Sequence, residues 1–476
     1  MPSLPSDILS TRKYRLLIGS LVVFMMAVSF INVSLPWYLA AAGLIFAVAL
    51  VFVLRDPILG IFLIAFFLPF ERLGAYEFSD ITIRLSQIFL IVTAAAWWLN
   101  QIMRKRTSLV RNPIFIALAL FLLVNVISLL NSVNLERSLL ILIYTIFTVS
   151  LAFLIPNIVT SPEQVNKVIK VILVSFVIVS AFGLFQFVGD MSGLPTTITG
   201  LRDLYTRDVL GFTRIQSTAY EPLYFANFLL IPLAIIFALF LAGKSLVKSS
   251  WLLTLFGLGM VSIVLTVSRG GYLAIAVTLL VISIFYWRKL LRPHIIVTFI
   301  VATVLLAWVV IQTLSVGGEV LTIDKFQDHV LNVFYGASFD ERISTFDQAY
   351  MAWREHPLIG IGVGAFGPYV APHPAYIPQD GWRIVNNEFI EILAENGIIG
   401  LVVFLFFVYL IIIRSIKAIS VSSDGNLRAI MVALLAAFFG VMAQYQTFST
   451  LYIMHVWFLI GLMIAVQNII LVRNYK

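Results

Sequence analysis

The chain contains no cysteine. Neither a disulfide nor a thiolate zinc site can form, so any segment outside the bilayer must fold without covalent bridges. Charge is also scarce. Only 11% of the 476 residues are Asp, Glu, Lys or Arg, against about 25% in a typical soluble domain. With 61% hydrophobic residues and a mean hydropathy of +1.03, the composition excludes a globular soluble protein and indicates an integral membrane one. The five histidines (294, 329, 356, 373 and 455) are scattered with no metal-ligand spacing, so no metal site is expected. The strict alternation of a membrane barrel is missing too, as are a soluble domain and a long linker.

What remains is a series of apolar runs. A hydrocarbon core of roughly 30 Å takes about 20 apolar residues per helix, and the backbone inside it satisfies its own hydrogen bonds by being helical. Fourteen spans are predicted, at 14–33, 38–54, 57–71, 84–102, 113–131, 138–156, 168–189, 222–242, 250–267, 271–287, 295–314, 389–413, 428–446 and 450–472. Arg55-Asp56-Pro57 leaves the pair 38–71 open to being either a tight turn or a broken helix. The first span follows Arg12, Lys13 and Arg15 and reads as an uncleaved anchor rather than a signal peptide. Ser161-Pro162-Glu163 predicts a helix start. The fold class is therefore all-α: a single polytopic bundle of about 12–14 transmembrane helices.

Basic residues set the orientation. With the N-terminus in the cytoplasm, 20 of the 31 Lys and Arg fall on the cytoplasmic side together with only four of the 23 acids. Both termini are then cytoplasmic, and the loops 190–221 and 315–387 face outward. This segregation accounts for the net charge of +8 without nucleic-acid binding. The outward basic residues differ in kind: ten arginines (72, 84, 137, 202, 207, 214, 269, 342, 354, 383) and one lysine, Lys325. Arginine's planar fork grips phosphate or carboxylate with two bonds. The set points to an anionic ligand, although any one arginine is more readily explained by pairing with an outward acid.

Three places sharpen that reading. In the first, Arg202, Arg207 and Arg214 lead into Tyr220-Glu221-Pro222 and a membrane helix. Glu221 either complements the helix dipole or accepts a proton from a sugar hydroxyl. In the second, Ser268-Arg269-Gly270-Gly271 places an arginine at the hydrocarbon boundary, where charge is costly and often functional. The third is the long loop. Ile343, Phe346, Ala349, Tyr350 and Trp353 recur at helical spacing from Asp340 to His356, as in an amphipathic helix lying in the membrane interface. Gly360, Gly362, Gly364 and Gly367 follow; with no strand before them they do not make a nucleotide fingerprint.

The run from Arg342 through Trp353 and His356-Pro357-Leu358-Ile359-Gly360-Ile361-Gly362-Val363-Gly364-Ala365-Phe366, followed by Asn387-Glu388-Phe389-Ile390-Glu391-Ile392-Leu393-Ala394-Glu395-Asn396-Gly397, resembles the signature of the O-antigen ligase and polymerase superfamily. Ser268 to Gly271 and the Arg214 to Pro222 segment resemble its other two landmarks, in the same order. The resemblance covers about 200 to 415. It implies a metal-independent glycosyltransferase that needs no cofactor. The enzyme would use undecaprenyl-diphosphate-linked glycans at the outer face of the bacterial plasma membrane, among membrane lipids and alongside flippase and chain-length regulator proteins.

Carried over by position, Arg214, Arg269 and Arg342 are the arginines the resemblance assigns to the diphosphate. Arg214, Glu221, Arg269 and Glu388 form the candidate catalytic set. Arg202, Arg207, Arg342, Arg383, Tyr220, His373, Asn386 and Asn387 form the candidate binding set. Ligases of this group typically carry histidine just before the Asn-Glu step, where this chain has Asn386, and asparagine is no base near neutral pH. Glu221 is then the first candidate base, followed by Glu388 and His373. Together with Glu221-Pro222 this favours a polymerase of lipid-linked repeat units over a ligase acting on lipid A or protein. A flippase for the same lipids is the competitor from another class. It would show internal repeats and mid-membrane charges, and only Glu391 and Glu395 come near that description.

Overall fold

The computed structural model describes residues 48–72, 76–78, 81–103, 109–206, 213–243, 248–293, 295, 337–378 and 381–473. The predicted spans at 14–33 and 295–314, most of 38–54, the loop stretch 315–336 and Arg207 lie outside the described residues.

The architecture is helical, as the composition requires. Helix α1 (Pro57–Phe67) precedes a short antiparallel ladder of β1 (Tyr76–Phe78) and β2 (Ile81–Ile83), with Tyr76 opposite Ile83. Then come α2 (Leu85–Met103), α3 (Pro113–Ser128), α4 (Leu135–Ile158), α5 (Pro162–Met191), α6 (Pro222–Ala242), α7 (Ser249–Leu265), α8 (Arg269–Leu290), α9 (Ala337–Glu355), α10 (Glu388–Val421), α11 (Gly425–Gln444) and α12 (Met454–Arg473). Among the described residues nine helices are long and apolar enough to cross a membrane, and α1 and α7 are shorter apolar ones. The chain is a multi-pass membrane protein.

Local chemistry sets the helix starts. Asn112 caps α3 ahead of Pro113, Asn134 caps α4, and Asp424 caps α11, each side chain accepting a backbone N–H of the first turn. Ser161 starts α5 as predicted, in a capping box closed by Gln164, with Pro162 at the first helical position.

Two compact units divide the chain. One comprises Met1–Ile64 with Ser86–Ser108, the other Ala65–Leu85 with Leu109–Lys476. Within the first, Asn100 of α2 donates to Leu54 O (3.4 Å). Within the second, α11 packs on α6 and α8, α12 on α4, and α10 on α3. Helices α6 and α12 are each 89% buried over their most apolar window, while large apolar side chains on α3 to α5, such as Ile116, Ile143 and Val174, are more than half exposed. An apolar surface of that kind is stable against lipid rather than water.

The connections of the second unit gather at two ends. At one end Asn112 meets Asn468 (3.0 Å) and Asn166 meets Asn426 (3.0 Å). At the other, Arg72 N–H reaches Thr218 O (3.1 Å), Ile215 N–H reaches Leu265 O (3.0 Å), Asn134 reaches Pro374 O (2.7 Å) and Glu388 N–H reaches Tyr445 O (2.9 Å). The stretches singled out by their arginines and glycines meet at this second end.

The predicted helix forms as α9, and part of its apolar face, with Ala352, packs against the protein. Ala349 and Ala352 are buried with Phe346 against Phe366, Val385 and Ala394. Ile343 and Tyr350 point away, 42% and 54% exposed. Two alanines permit close approach to α10, so steric fit rather than side-chain apolarity chose the face.

Candidate functional site

The turn before α6 collects positive charge around one carboxylate. Pro222 opens α6 with Glu221 as its cap residue, whose side chain makes no capping bond to the first turn. Tyr205 donates a hydrogen bond to the Glu221 carboxylate, and Arg202 and Arg214 act on it electrostatically. Arg202 lies over the rings of Tyr220 (4.7 Å) and Tyr205 (5.7 Å) and donates to Tyr220 O (3.3 Å). Arg214 lies 5.8 Å from the Tyr205 ring, donates through Nε to Thr266 O (3.4 Å), and is within electrostatic reach of Arg269 and Tyr272.

Burial raises Glu221 above the usual carboxylate range; the two arginines and the Tyr205 hydroxyl oppose it. Burial likewise pushes the Tyr205 phenol up to about 12, with Glu221 acting in the same direction, so it stays a donor at neutral pH. Burial lowers Arg214, countered by Tyr205, Tyr272 and Glu221 and reinforced by Arg269. A guanidinium remains charged through such shifts. Behind the turn, buried Glu71 accepts the Tyr220 N–H (3.0 Å) and feels both Arg84 and Glu221.

Most of Ser268-Arg269-Gly270-Gly271 has a packing explanation. The Ser268 side chain caps α8 by accepting Gly271 N–H (3.2 Å). A Cβ on Gly270 would come within 2.2 Å of Thr447 Oγ1. Capping and close packing account for the serine and the glycines but not for a cation, and Arg269 joins the cluster of Arg214.

Among the described residues three other than glycine hold a left-handed backbone: Ser217 (φ 53°), Val267 (φ 49°) and Asn386 (φ 60°). Each is within four residues of a candidate site residue. Such geometry costs of order 1 kcal/mol or more, most for a β-branched residue, and the surroundings enforce it. Gln186 accepts the Ser217 N–H (2.7 Å) while Ser217 Oγ donates to Val179 O (2.6 Å). The Asn386 N–H goes to Ser449 Oγ (3.1 Å).

The second polar region is a cavity at the start of α10, lined by Glu388, Glu391 and Glu395 together with Arg137, Arg383 and Tyr452. Its free volume of about 40 Å³ holds a few waters and no sugar. Each glutamate is bonded differently. Glu395 accepts Gly364 N–H (2.7 Å) and Phe366 N–H (3.0 Å), one on each oxygen. Glu391 Oε2 accepts Val385 N–H (2.9 Å) and the Ser449 hydroxyl (2.5 Å). Glu388 receives the Thr450 N–H, but its Oε2 is buried with no hydrogen-bond partner and the residue is only 4% exposed. An unsatisfied buried oxygen costs about 1–3 kcal/mol. Arg137 donates to Gly364 O (2.8 Å) and stacks on Trp382 (5.2 Å).

The glycine series explains how this cavity is held. Helix α10 is interrupted at Gly397 (φ 67°, ψ −171°). Into the break runs the segment after α9: Gly362 N–H bonds Glu395 O (3.0 Å), Ile361 N–H bonds Ala394 O (3.0 Å), and Ile398 N–H bonds Pro357 O (2.9 Å). A Cβ on Gly360 would lie 2.2 Å from Glu395 C, and one on Gly397 2.3 Å from Leu358 C. Gly360, Gly362 and Gly364 all have positive φ. Backbone fills a broken helix here, and no phosphate cradle is formed.

Tyr224 joins the two regions. It lies one helical turn after Glu221 on α6, and its phenol is hydrogen-bonded to the side chain of Thr450, whose N–H serves Glu388.

The structure thus brings Arg202, Arg214, Tyr220, Glu221 and Arg269 into one cluster, and Glu388 and Arg383 to one cavity. Asn387 caps α10 through Phe389 N–H (3.1 Å) and Ile390 N–H (3.2 Å) and holds Gln446 (3.2 Å), a structural use. His373 is exposed in the Pro372–Pro374 turn. Arg342 lies on α9, where its carbonyl accepts from Thr345 (2.8 Å). Tyr205, Glu71 and Tyr452 were not foreseen. No local pattern marks them, because their partners lie in other segments. Arg137 belonged to the outward arginine set, and only its position at the start of α4 hinted at more. Among the described residues no group of three or more His, Cys, Asp or Glu is arranged to hold a metal.

No curated protein matches the chain. Residues 252–405 match a family model described as O-antigen ligase. The matched stretch contains Arg269, the α9 helix, the glycine series and all three glutamates; Arg202, Arg214 and Glu221 precede it. Over residues 252–405 the chain is therefore similar to the O-antigen ligase family, which supports a place in the O-antigen ligase and polymerase superfamily.

Proposed function

We propose that this protein is a polymerase joining polyprenyl-diphosphate-linked repeat units, with undecaprenyl diphosphate as carrier, at the outer face of the plasma membrane. The observation that carries the reading is that Arg202 and Arg214 act on Glu221 while Arg269, from a second turn, lies within electrostatic reach of Arg214. A diphosphate is already a good leaving group. The enzyme's task is to stabilise the charge that develops on it and to position the acceptor hydroxyl. Arginines provide that stabilisation without a metal, each offering a fixed fork of donors. Glu221, held by Tyr205 between two guanidiniums, orients them and balances their charge while the donor is away.

On this reading both termini are cytoplasmic, the segments around residues 190–221 and 315–387 face outward, and α9 lies along the membrane surface. The flippase that delivers the lipid and the regulator that sets chain length are the protein partners. Asn386 supports a polymerase over a ligase, since its amide supplies no base where the ligases carry histidine.

Deleting the gene and examining lipid-linked glycans and surface polymer tests the assignment. Single repeat units on the surface indicate a lost polymerase, and long polymer stranded on the carrier indicates a lost ligase. Translocation of the accumulated lipid by purified protein in liposomes, without glycan joining, would show a flippase instead.

A further inference from the structure

We infer that Glu388 is the catalytic base for the acceptor, its unpartnered Oε2 taking the proton of the attacking sugar hydroxyl. The inference rests on the glycosyltransferase reading above and names the acceptor end of the same site.

The three glutamates of the cavity differ in what the protein already asks of them. Glu395 spends both oxygens on backbone amides, and Glu391 is held by Val385 N–H and Ser449. Glu388, a residue of the cavity lining, keeps one oxygen that is buried and unpartnered. A buried polar atom left unsatisfied in an otherwise bonded cluster calls for an explanation outside packing, and an incoming hydroxyl is a fitting donor for it. The same burial keeps bulk water from competing for that oxygen.

Position supports this. Glu388 is tied through the Thr450 N–H, the Thr450 side chain and the Tyr224 phenol to the helical turn that begins at Glu221. A hydroxyl presented to Glu388 therefore approaches from the α10 side while the diphosphate is held on the α6 side. Separate placement of nucleophile and leaving group is what displacement at a sugar carbon requires. The cavity has room for waters but not for a sugar ring. The acceptor ring then sits at its mouth, beside Arg383, and only the hydroxyl points inward.

The step balances. The acceptor oxygen forms a bond to the anomeric carbon, the bond from that carbon to the diphosphate oxygen breaks, and the polyprenyl diphosphate leaves with the electron pair. The acceptor proton moves to Glu388 Oε2 and from there to a water in the cavity. The charged and titratable groups facing Glu388 are Glu391 and Glu395 on its own helix, Tyr445 and Tyr452 from the α11–α12 connection, and Arg137 and Arg383 on the cavity wall.

The test uses the full-length protein in nanodiscs and, as probe, the lipid-linked glycan extracted from cells lacking the gene. Glu388→Gln should bind this lipid within about twofold of wild type and lose at least 100-fold in glycan joining. Glu388→Asp should retain a part of the rate, and added formate should restore part of the activity of Glu388→Ala. Joining by Glu388→Gln within threefold of wild type would overturn the inference and leave the function standing, as would loss of lipid binding in parallel with activity and no rescue by formate. If wild-type protein binds the lipid but does not join it, the function itself is wrong and the inference falls with it.

Discussion

Around Glu221 the charges are positive and their geometry comes from side chains: tyrosine rings under guanidiniums, a phenol on a carboxylate, arginine donors on carbonyls. Around Glu395 three carboxylates gather beside Arg137 and Arg383, and the geometry of Glu391 and Glu395 comes largely from backbone: amides of the glycine segment and of the turn before α10. The difference suits two kinds of ligand. Arginines stacked on rings can shift slightly to follow a diphosphate whose charge grows during reaction. Carboxylates fixed by amides cannot move, which gives a rigid frame for the neighbouring Glu388, whose free oxygen must meet one hydroxyl at one distance.

Replacement of the arginines should break the comparison most deeply. Arg214→Lys and Arg269→Lys are expected to reduce glycan joining by roughly 100-fold or more, the scale of losing one donor to a developing oxyanion, with protein levels in the membrane unchanged. Joining assays on membranes with extracted lipid-linked glycan will show it; lysine variants with near-normal rates would mean that only charge is needed there, not the fork. Next in size are the backbone positions. Gly360→Ala and Gly397→Ala force a Cβ to within 2.2 and 2.3 Å of main-chain atoms, and each should destabilise the protein by about 3 kcal/mol or more. Gly381→Ala is the control, with a positive φ and open space around it, and should cost only about 1 kcal/mol. Thermal unfolding in detergent separates the three.

Glu395→Gln keeps the shape but replaces one acceptor oxygen by a donor facing an amide. A loss of about 1–3 kcal/mol is expected, read in the same unfolding experiment. The smallest effect concerns pH. Burial holds Glu221 above its ordinary value of 4.5, so the stability it contributes is fully present below that value and declines as pH rises through the folded one. Glu221→Gln should flatten this decline, seen as a mutant-minus-wild-type melting difference that grows from about pH 4 upward; a difference constant with pH would contradict the assignment.

Much of the bundle was readable from sequence because membrane solvation is a strong constraint. Apolar runs such as Pro222–Ala242 have no alternative to helix there, and Ser161-Pro162 marks a start by local chemistry alone. The arginine cluster was legible by residue type, since ten arginines against one lysine is itself a chemical selection. Its members Tyr205 and Glu71 were not, because a phenol 16 residues before a carboxylate carries no periodic signal. The glycine series was visible but its purpose was hidden. Its partner is the break at Gly397, in a helix whose sequence looked continuous.

That break has one more consequence. Where a segment of main chain fits into a gap between two helix halves, tolerance to substitution should invert relative to an ordinary helical interface. The large side chains at the seam, Leu358, Ile398 and Ile399, are 62%, 39% and 42% exposed, and a saturation scan should accept many residues there. The two smallest residues, Gly360 and Gly397, should accept almost none. The map of sensitive positions would then trace the course of the backbone rather than the pattern of hydrophobicity.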